Sequence, residues 1–172
     1  MLVNALNNKV AELNIPVLLQ TKAEKILVDE NGAVSGVTAT DKDGNEFTID
    51  CTAVVLATGG FGANAKMVEE YNPKLAGFGT TNHAGATGDG IEMAKELGVQ
   101  FVDMDQIQTH PTVNPDTQTM YTEGVRGNGA ILVNKEGKRF VNELETRDVV
   151  SAAILEQADS AIWYLTRQSE TA

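Results

Sequence analysis

The chain has one cysteine, four prolines, one tryptophan and an aromatic content of only 5%. A single thiol, Cys51, excludes an internal disulfide, and no C-x-x-C-H tract offers attachment for a c-type haem. Long hydrophobic runs are absent: no window approaches the roughly 20 apolar residues of a membrane span. The N-terminus has neither the basic n-region nor the unbroken apolar core of a signal peptide, so a soluble, cytoplasmic chain is expected. Positive charge is scarce, with 13 Lys and Arg against 24 Asp and Glu and a net charge of −11. That balance argues against nucleic acid or an anionic membrane as partner, and any anionic ligand would need a local basic pocket. Metal-binding patterns are missing too. His83 and His110 lie far apart with no thiol near either, and Asp103 and Asp105 read as the polar face of a strand without the further oxygen ligands a hard cation demands.

What is present is a chain of 172 residues with 42% apolar content and sixteen glycines, enough for one ordinary domain or two small ones around a real core. Leu2, Ala5, Leu6, Val10 and Leu13 recur at three- and four-residue intervals, predicting an amphipathic helix that packs on a sheet. From Lys22 the period becomes strand-like. Three short runs separated by Asn31-Gly32 and Asp43-Gly44 predict a three-stranded meander whose tight turns have positive φ at both central positions.

The run Ala53 to Ala57 is apolar throughout, as a strand covered on both faces would be. It leads into Gly59-Gly60-Phe61-Gly62, which puts bare backbone at the C-terminal edge of a sheet, where open α/β folds bind ligands. Gly60, Gly62 and Ala65 also satisfy G-x-G-x-x-G/A, but no acidic residue follows at the end of a second strand, and M-V-E-E-Y reads as a short helix stopped by Pro73. A glycine-rich loop then feeds a helix from about Asp89 that ends at Gly98 and aims backbone N–H groups and a positive helix end at an anion or an electron-rich ring edge. Further on, Ala130–Asn134 and Lys138–Val141 predict a hairpin closed by K-E-G. A helix is expected from Arg147 to Gln157 with Thr146 as N-cap and Val150 and Ile154 inward. A domain boundary is placed near residue 107, dividing 1–107 from 108–172.

Between Thr109 and Asp148 lie a histidine before proline, the pair Glu123-x-x-Arg126, and Arg147 in the first turn of a helix. An arginine there faces the positive end of the helix dipole, at a cost of some tenths of a kcal/mol. Either it pairs locally with Glu143, Glu145 or Asp148, or it joins the helix end in gripping an anion. Glu123 and Arg126 are equally readable as a surface ion pair or as a buried pair able to pass protons. His110 could donate to a carboxylate or cap backbone.

V-V-L-A-T-G-G-F-G, A-T-G-D-G-I-E-M-A-K-E-L-G, H-P-T-V, T-E-x-V-R-G and V-N-K-E-G-K-R-F-V-N-E-x-x-T-R-D, in this order and over nearly the whole chain, resemble the flavoprotein subunit of the fumarate reductase and succinate dehydrogenase family, nearest its soluble flavocytochrome c-type branch. The resemblance implies an α/β (α+β) chain. Its first part would be the middle of a Rossmann-like FAD-binding domain with a β-meander, and its second the first part of an α+β capping domain. By that pattern Ala57, Thr58, Gly59, Gly60, Gly88 and Asp89 meet FAD, His110 and Thr122 bind a carboxylate of a small unsaturated dicarboxylate, and Arg147 protonates the alkene with Glu123 and Arg126 returning its proton. It also implies an electron-donor protein or domain.

The family's opening G-x-G-x-x-G unit and its closing flavin segment do not occur here, so an internal piece is expected, one that alone binds FAD weakly or not at all and shows no reductase activity. Self-association through uncovered surfaces is a further expectation. Three alternatives accompany this reading: a flavin-dependent reductase of another activated alkene such as urocanate or methacrylate, a non-catalytic carboxylate- or partner-binding domain, and a nicotinamide-binding domain using Gly60 and Gly62.

Overall fold

Three five-residue loops of one design organise the strands. In Asp29–Ala33 the Asp29 carboxylate accepts the N–H groups of Asn31 and Ala33 at 2.8 and 2.9 Å, while Gly32 N–H returns to the Asp29 carbonyl at 3.0 Å. Asp41–Asn45 repeats the scheme, with Asp41 Oδ1 taking the N–H groups of Asp43 and Asn45. Asn134–Lys138 repeats it again through Asn134 Oδ1 and the N–H groups of Glu136 and Lys138. Each places its glycine in the left-handed region, at φ 81°, 84° and 72° for Gly32, Gly44 and Gly137, while Asn31 and Asp43 keep negative φ. The expected turn with two positive-φ residues is therefore replaced by a three-residue loop: a type I turn closed by a left-handed glycine. The first residue of each loop decides this, because an Asp or Asn side chain caps the turn from within.

The computed structural model describes residues 2–114, 116–157 and the backbone of 163–165. It is a mixed helix-and-sheet chain in two compact units, residues 1–57 with 90–99 and residues 58–89 with 100–172. In the first unit β1 (Lys22–Val28), β2 (Val34–Thr40) and β3 (Glu46–Asp50) form the antiparallel meander in order β1-β2-β3. Ile26 and Ala39 are buried in it. Helix α1 (Leu2–Glu12) forms where its period predicts but buries none of its residues, and Leu2, Leu6 and Leu13 are 74%, 59% and 55% exposed. The expectation that it packs on a sheet is corrected: no element among the described residues covers its apolar stripe.

The predicted strand at 53–57 is corrected as well. No N–H from Thr52 to Gly60 donates to another described residue, and Val55 is 89% exposed. An apolar run becomes a strand only when a neighbour completes its ladder, and none of the described strands does so.

The second unit holds α2 (Ala65–Tyr71), whose N-cap Asn64 accepts Met67 N–H and donates to the Thr87 carbonyl. Pro73 ends α2 as expected and opens a 3-10 turn, Pro73–Leu75. Helix α3 (Asp89–Glu96) begins in this unit and ends beyond it, with Gly98 (φ 72°) donating to the Lys95 carbonyl just past its end. Asp103, read as a strand residue, instead sits in a turn at φ 57°, and Gln106 N–H closes that turn on the Asp103 carbonyl.

The core of this unit is Leu132, Val150 and Ile154, with Phe140 and Val141 packed against it. Such burial stabilises by about 1.5–3 kcal/mol per large apolar side chain. Leu132 lies on β4 (Ile131–Val133), and Val150 and Ile154 on α5 (Arg147–Leu155). The predicted hairpin exists only as the loop and a single bridge, Val133 to Arg139; β4 pairs instead with β5 (Trp163–Leu165). The two compact units divide elsewhere than at residue 107, and the division of 1–107 from 108–172 stays a proposal.

Candidate functional site

Two extended segments of the second unit are stitched side by side before any functional side chain is considered. Thr112, 1% exposed, donates its hydroxyl to the Tyr121 carbonyl at 2.8 Å and accepts Tyr121 N–H at 2.9 Å. Val113 bridges Met120, and Asn114 N–H reaches the Thr119 carbonyl. The residue before a proline is held extended, so His110 leads straight into this ladder. Thr122 ends it as N-cap of the short helix α4 (Glu123–Gly127). His110 and Glu123, thirteen positions apart in sequence, thereby face each other with His110 Nε2 at 3.4 Å from Glu123 Oε1.

Helix α5 supplies the third element. Arg147, its first residue, donates Nε–H to Glu123 Oε1 and Nη1–H to Gln108 Oε1, the latter at 2.6 Å. None of the three local acids suggested by sequence takes it. Glu143 is held by Arg139 at 2.6 Å, and Glu145 accepts from Asn142. Arg126 Nη2 lies 3.9 Å from the same Glu123 oxygen. Of the suggested pair only the arginine is buried: Arg126 is 4% exposed, whereas the Glu123 side chain is 45% exposed. Arg126 donates Nη1–H to the Glu143 carbonyl at 2.8 Å, and its Nε finds no partner among the described residues. One carboxylate oxygen is thus the common neighbour of two guanidinium groups and an imidazole.

The electrostatics set the protonation states. Glu123 is held below the usual carboxylate range by its own backbone N–H, at the start of α4, and by the Arg147 guanidinium. It stays ionised at neutral pH. Burial pushes the His110 imidazole below its ordinary value, and Arg147 and Arg126 add to this against the opposing pull of Glu123. Its Nδ1 accepts Thr112 N–H at 3.3 Å, which assigns the proton of the neutral ring to Nε2. That nitrogen is buried without a hydrogen bond among the described residues, its approach to Glu123 being close in distance but poorly aligned.

A stability prediction follows. A histidine depressed in the folded state contributes fully above its unfolded pKa, about 6.5, and loses that contribution as pH falls from there toward the folded value. Depressed Glu123 and Glu143 lose theirs lower still, by the same sign. Urea midpoints are therefore expected to fall between pH 7.5 and 5.5, and to fall less in His110→Gln. An equal fall in both proteins would remove His110 from this account.

His110 and Arg147 line a cleft of about 610 Å³, walled also by Gly77–Asn82, Gln108, Thr109, Ser151 and Ile154. Glu123 contacts both Arg147 and the neutral His110, and neither it, Arg126 nor Thr122 is part of the lining. Thr122 is exposed, and its hydroxyl makes no capping bond in α4. Among residues expected to meet FAD, Thr58, Gly59, Gly60, Gly88 and Asp89 belong to this unit and Ala57 to the other. The backbone fits such a ligand at Gly59 and Gly60, where an added Cβ would meet nothing within 4 Å and the N–H groups donate to no described residue. Gly88 has a sufficient packing reason instead: at φ 82° an added Cβ would meet Met67 Sδ at 2.5 Å. The sequence reading missed Gln108, Thr109 and Ser151. Gln108 stands two residues before His110 on an extended segment and Ser151 four after Arg147 on a helix, periods that put each pair on one side.

Comparison with known proteins supplies the family. The FAD binding domain family matches residues 1–164. NADH:fumarate oxidoreductase of Klebsiella pneumoniae (strain 342) is 47% identical over 154 residues, covering 90% of this chain and 16% of that protein. Urocanate reductase of Eggerthella lenta is 44% identical over 161 residues, covering 90% of this chain and 26% of that protein. The open conformation of a flavocytochrome c3 fumarate reductase superposes with a TM-score of 0.78 at 40% identity, over 94% of this chain and 29% of that one. This chain spans about a sixth to a third of the curated relatives it matches. The resemblance to fumarate reductase flavoproteins read from the motifs is thus met in sequence and in shape, and the chain belongs to the FAD binding domain family.

Proposed function

We propose that this segment serves an FAD-dependent reductase of small unsaturated carboxylates, with a trans-dicarboxylate such as fumarate as the substrate. Residues 1–107 would be the middle of a Rossmann-like flavin domain and 108–172 the first part of the cap closing over it. The observation that carries the reading is the convergence of Arg147, His110 and Arg126 on one oxygen of Glu123, two of the three, Arg147 and His110, also lining the cleft.

Bound reduced FAD supplies hydride to one carbon of the double bond. In this reading the chain's own residues do the rest. His110, neutral and with its proton on Nε2, donates to a substrate carboxylate. Arg147 stabilises the negative charge that develops as the alkene is reduced and gives a proton to the second carbon. A guanidinium is a poor acid, with a pKa above 12, yet it can protonate a carbon centre more basic than the guanidine left behind. Glu123, ionised at rest and with a side chain 45% exposed, takes up a proton from solvent and passes it to Arg147 through their bond, while the Arg126 guanidinium 3.9 Å away balances its charge. Thr122 would join His110 at that same carboxylate, from outside the cleft lining. Thr58, Gly59 and Gly60 would lie against FAD through bare backbone, with Ala57, Gly88 and Asp89 completing that side. An electron-donor protein or domain would reduce the flavin.

The second reading, an enzyme of the urocanate-reducing kind, is favoured by the 44% identity to such a protein. A substrate panel on the complete flavin-loaded enzyme decides. Fumarate is expected to exceed acrylate and urocanate in kcat/KM by at least about tenfold, because polar groups built for a second carboxylate are left unpaired by an analogue lacking it. Urocanate leading the panel would transfer the assignment to the second reading, and no turnover of any member would remove both.

A further inference from the structure

The cleft carries a pair of hydroxyl groups that the mechanism above does not use. Thr109 Oγ1 lies 3.1 Å from Ser151 Oγ, and both residues line the cleft. Ser151 is four residues beyond Arg147 on α5, on the same face and about 6 Å further along the helix axis. Thr109 stands between Gln108, which accepts from Arg147, and His110. Two hydroxyls carry two protons and share one hydrogen bond, so one O–H remains to donate. A serine inside a helix ordinarily turns that proton back to the carbonyl four residues earlier. No such bond to Arg147 forms here; the bond of Ser151 is to Thr109, across the cleft wall.

We propose that Thr109 and Ser151 form a ligand subsite that donates one O–H to a carboxylate oxygen of the substrate, fixing its carboxylate end one helical turn from Arg147. The proposal rests on the carboxylate-reductase reading and deepens it by assigning the group that sets which end of the acid is held. The neighbouring positive charge of Arg147 favours an anionic acceptor over an uncharged one. The pair therefore suits a planar carboxylate rather than an uncharged amide or a ring nitrogen.

The test uses the complete flavin-loaded enzyme with Ser151→Ala, Thr109→Val and Ser151→Thr, read by steady-state turnover of fumarate and by calorimetric binding of malonate, an unreactive dicarboxylate. A hydrogen bond to a charged group contributes enough that Ser151→Ala is expected to raise both the fumarate KM and the malonate Kd by about tenfold. The loss falls on KM rather than kcat, and Ser151→Thr, which keeps the hydroxyl, restores most of the binding. Unchanged malonate affinity in Ser151→Ala overturns the subsite. So does a fall in kcat at constant Kd, which would make the pair a spacer that positions Arg147. Failure of the underlying reading shows elsewhere, as no turnover of fumarate, acrylate or urocanate by the wild-type enzyme, while the malonate titration still reports on the subsite.

Discussion

Arg147→Lys in the complete flavin-loaded enzyme is expected to lose turnover by about 10³-fold or more, with its fold and flavin content intact, since a group that both stabilises developing charge and transfers a proton acts almost entirely in the transition state. Lysine keeps the charge. It loses the planar fork that lets one side chain donate Nε–H to Glu123 and Nη1–H to Gln108 at once while still facing the cleft. A single ammonium can satisfy one of those partners, and the other would be left to pull it out of line. The substitution should leave the malonate Kd within a few-fold of wild type, because His110 and the hydroxyl pair remain. Rapid quench of the pre-reduced enzyme measures the chemical step directly. Near-normal rates there would end the role proposed for Arg147, and a collapse of dicarboxylate binding with little change in the chemical step would make it a binding residue instead.

The second large effect is on stability and concerns Glu143, a residue buried to 4% exposure behind the site. Burial pushes its carboxyl up, but the bidentate grip of Arg139 and the N–H of Leu132 outweigh this and hold it below the usual range. Its backbone carbonyl receives Arg126 at 2.8 Å. Glu143→Ala strips Leu132, itself fully buried, of the acceptor for its N–H. It also opens a small void and releases Arg139, whose side chain is 55% exposed and can turn to water. Because that partner resolvates, the loss is expected at about 3 kcal/mol, the lower end for a broken buried pair. Glu143→Gln keeps an oxygen for Leu132 and is expected to cost only about 1 kcal/mol. Urea unfolding and hydrogen exchange at the Leu132 amide measure both. Equal losses in the two variants, with Leu132 still protected in the alanine protein, would contradict the assignment of that N–H to Glu143.

Where local rules decide, the chain was legible. Leu2 to Glu12 reads as a helix because the spacing of its leucines is helical whatever surrounds it. The turns at 29–33, 41–45 and 134–138 were legible as turns, though not as three-residue loops, since the side-chain oxygen that caps each lies in the loop itself. The Arg147 helix, its inward Val150 and Ile154, and the motifs marking a flavin-binding relative also lay open in the linear order. Tertiary structure decided the rest. Ala53–Ala57 has the composition of a buried strand but no ladder partner among the described residues, and composition cannot supply one. Likewise β4 takes its partner from residues 163–165 rather than from the nearer arm across K-E-G. Position alone left open whether Arg147 would pair with a nearby acid or join the helix end in gripping an anion, and Glu123 was not among the acids considered for it. Only folding, which brings the ladder at 110–122 against the start of α5, placed Glu123 and Gln108 within its reach, because a hydrogen bond depends on distance in space and not on separation along the chain.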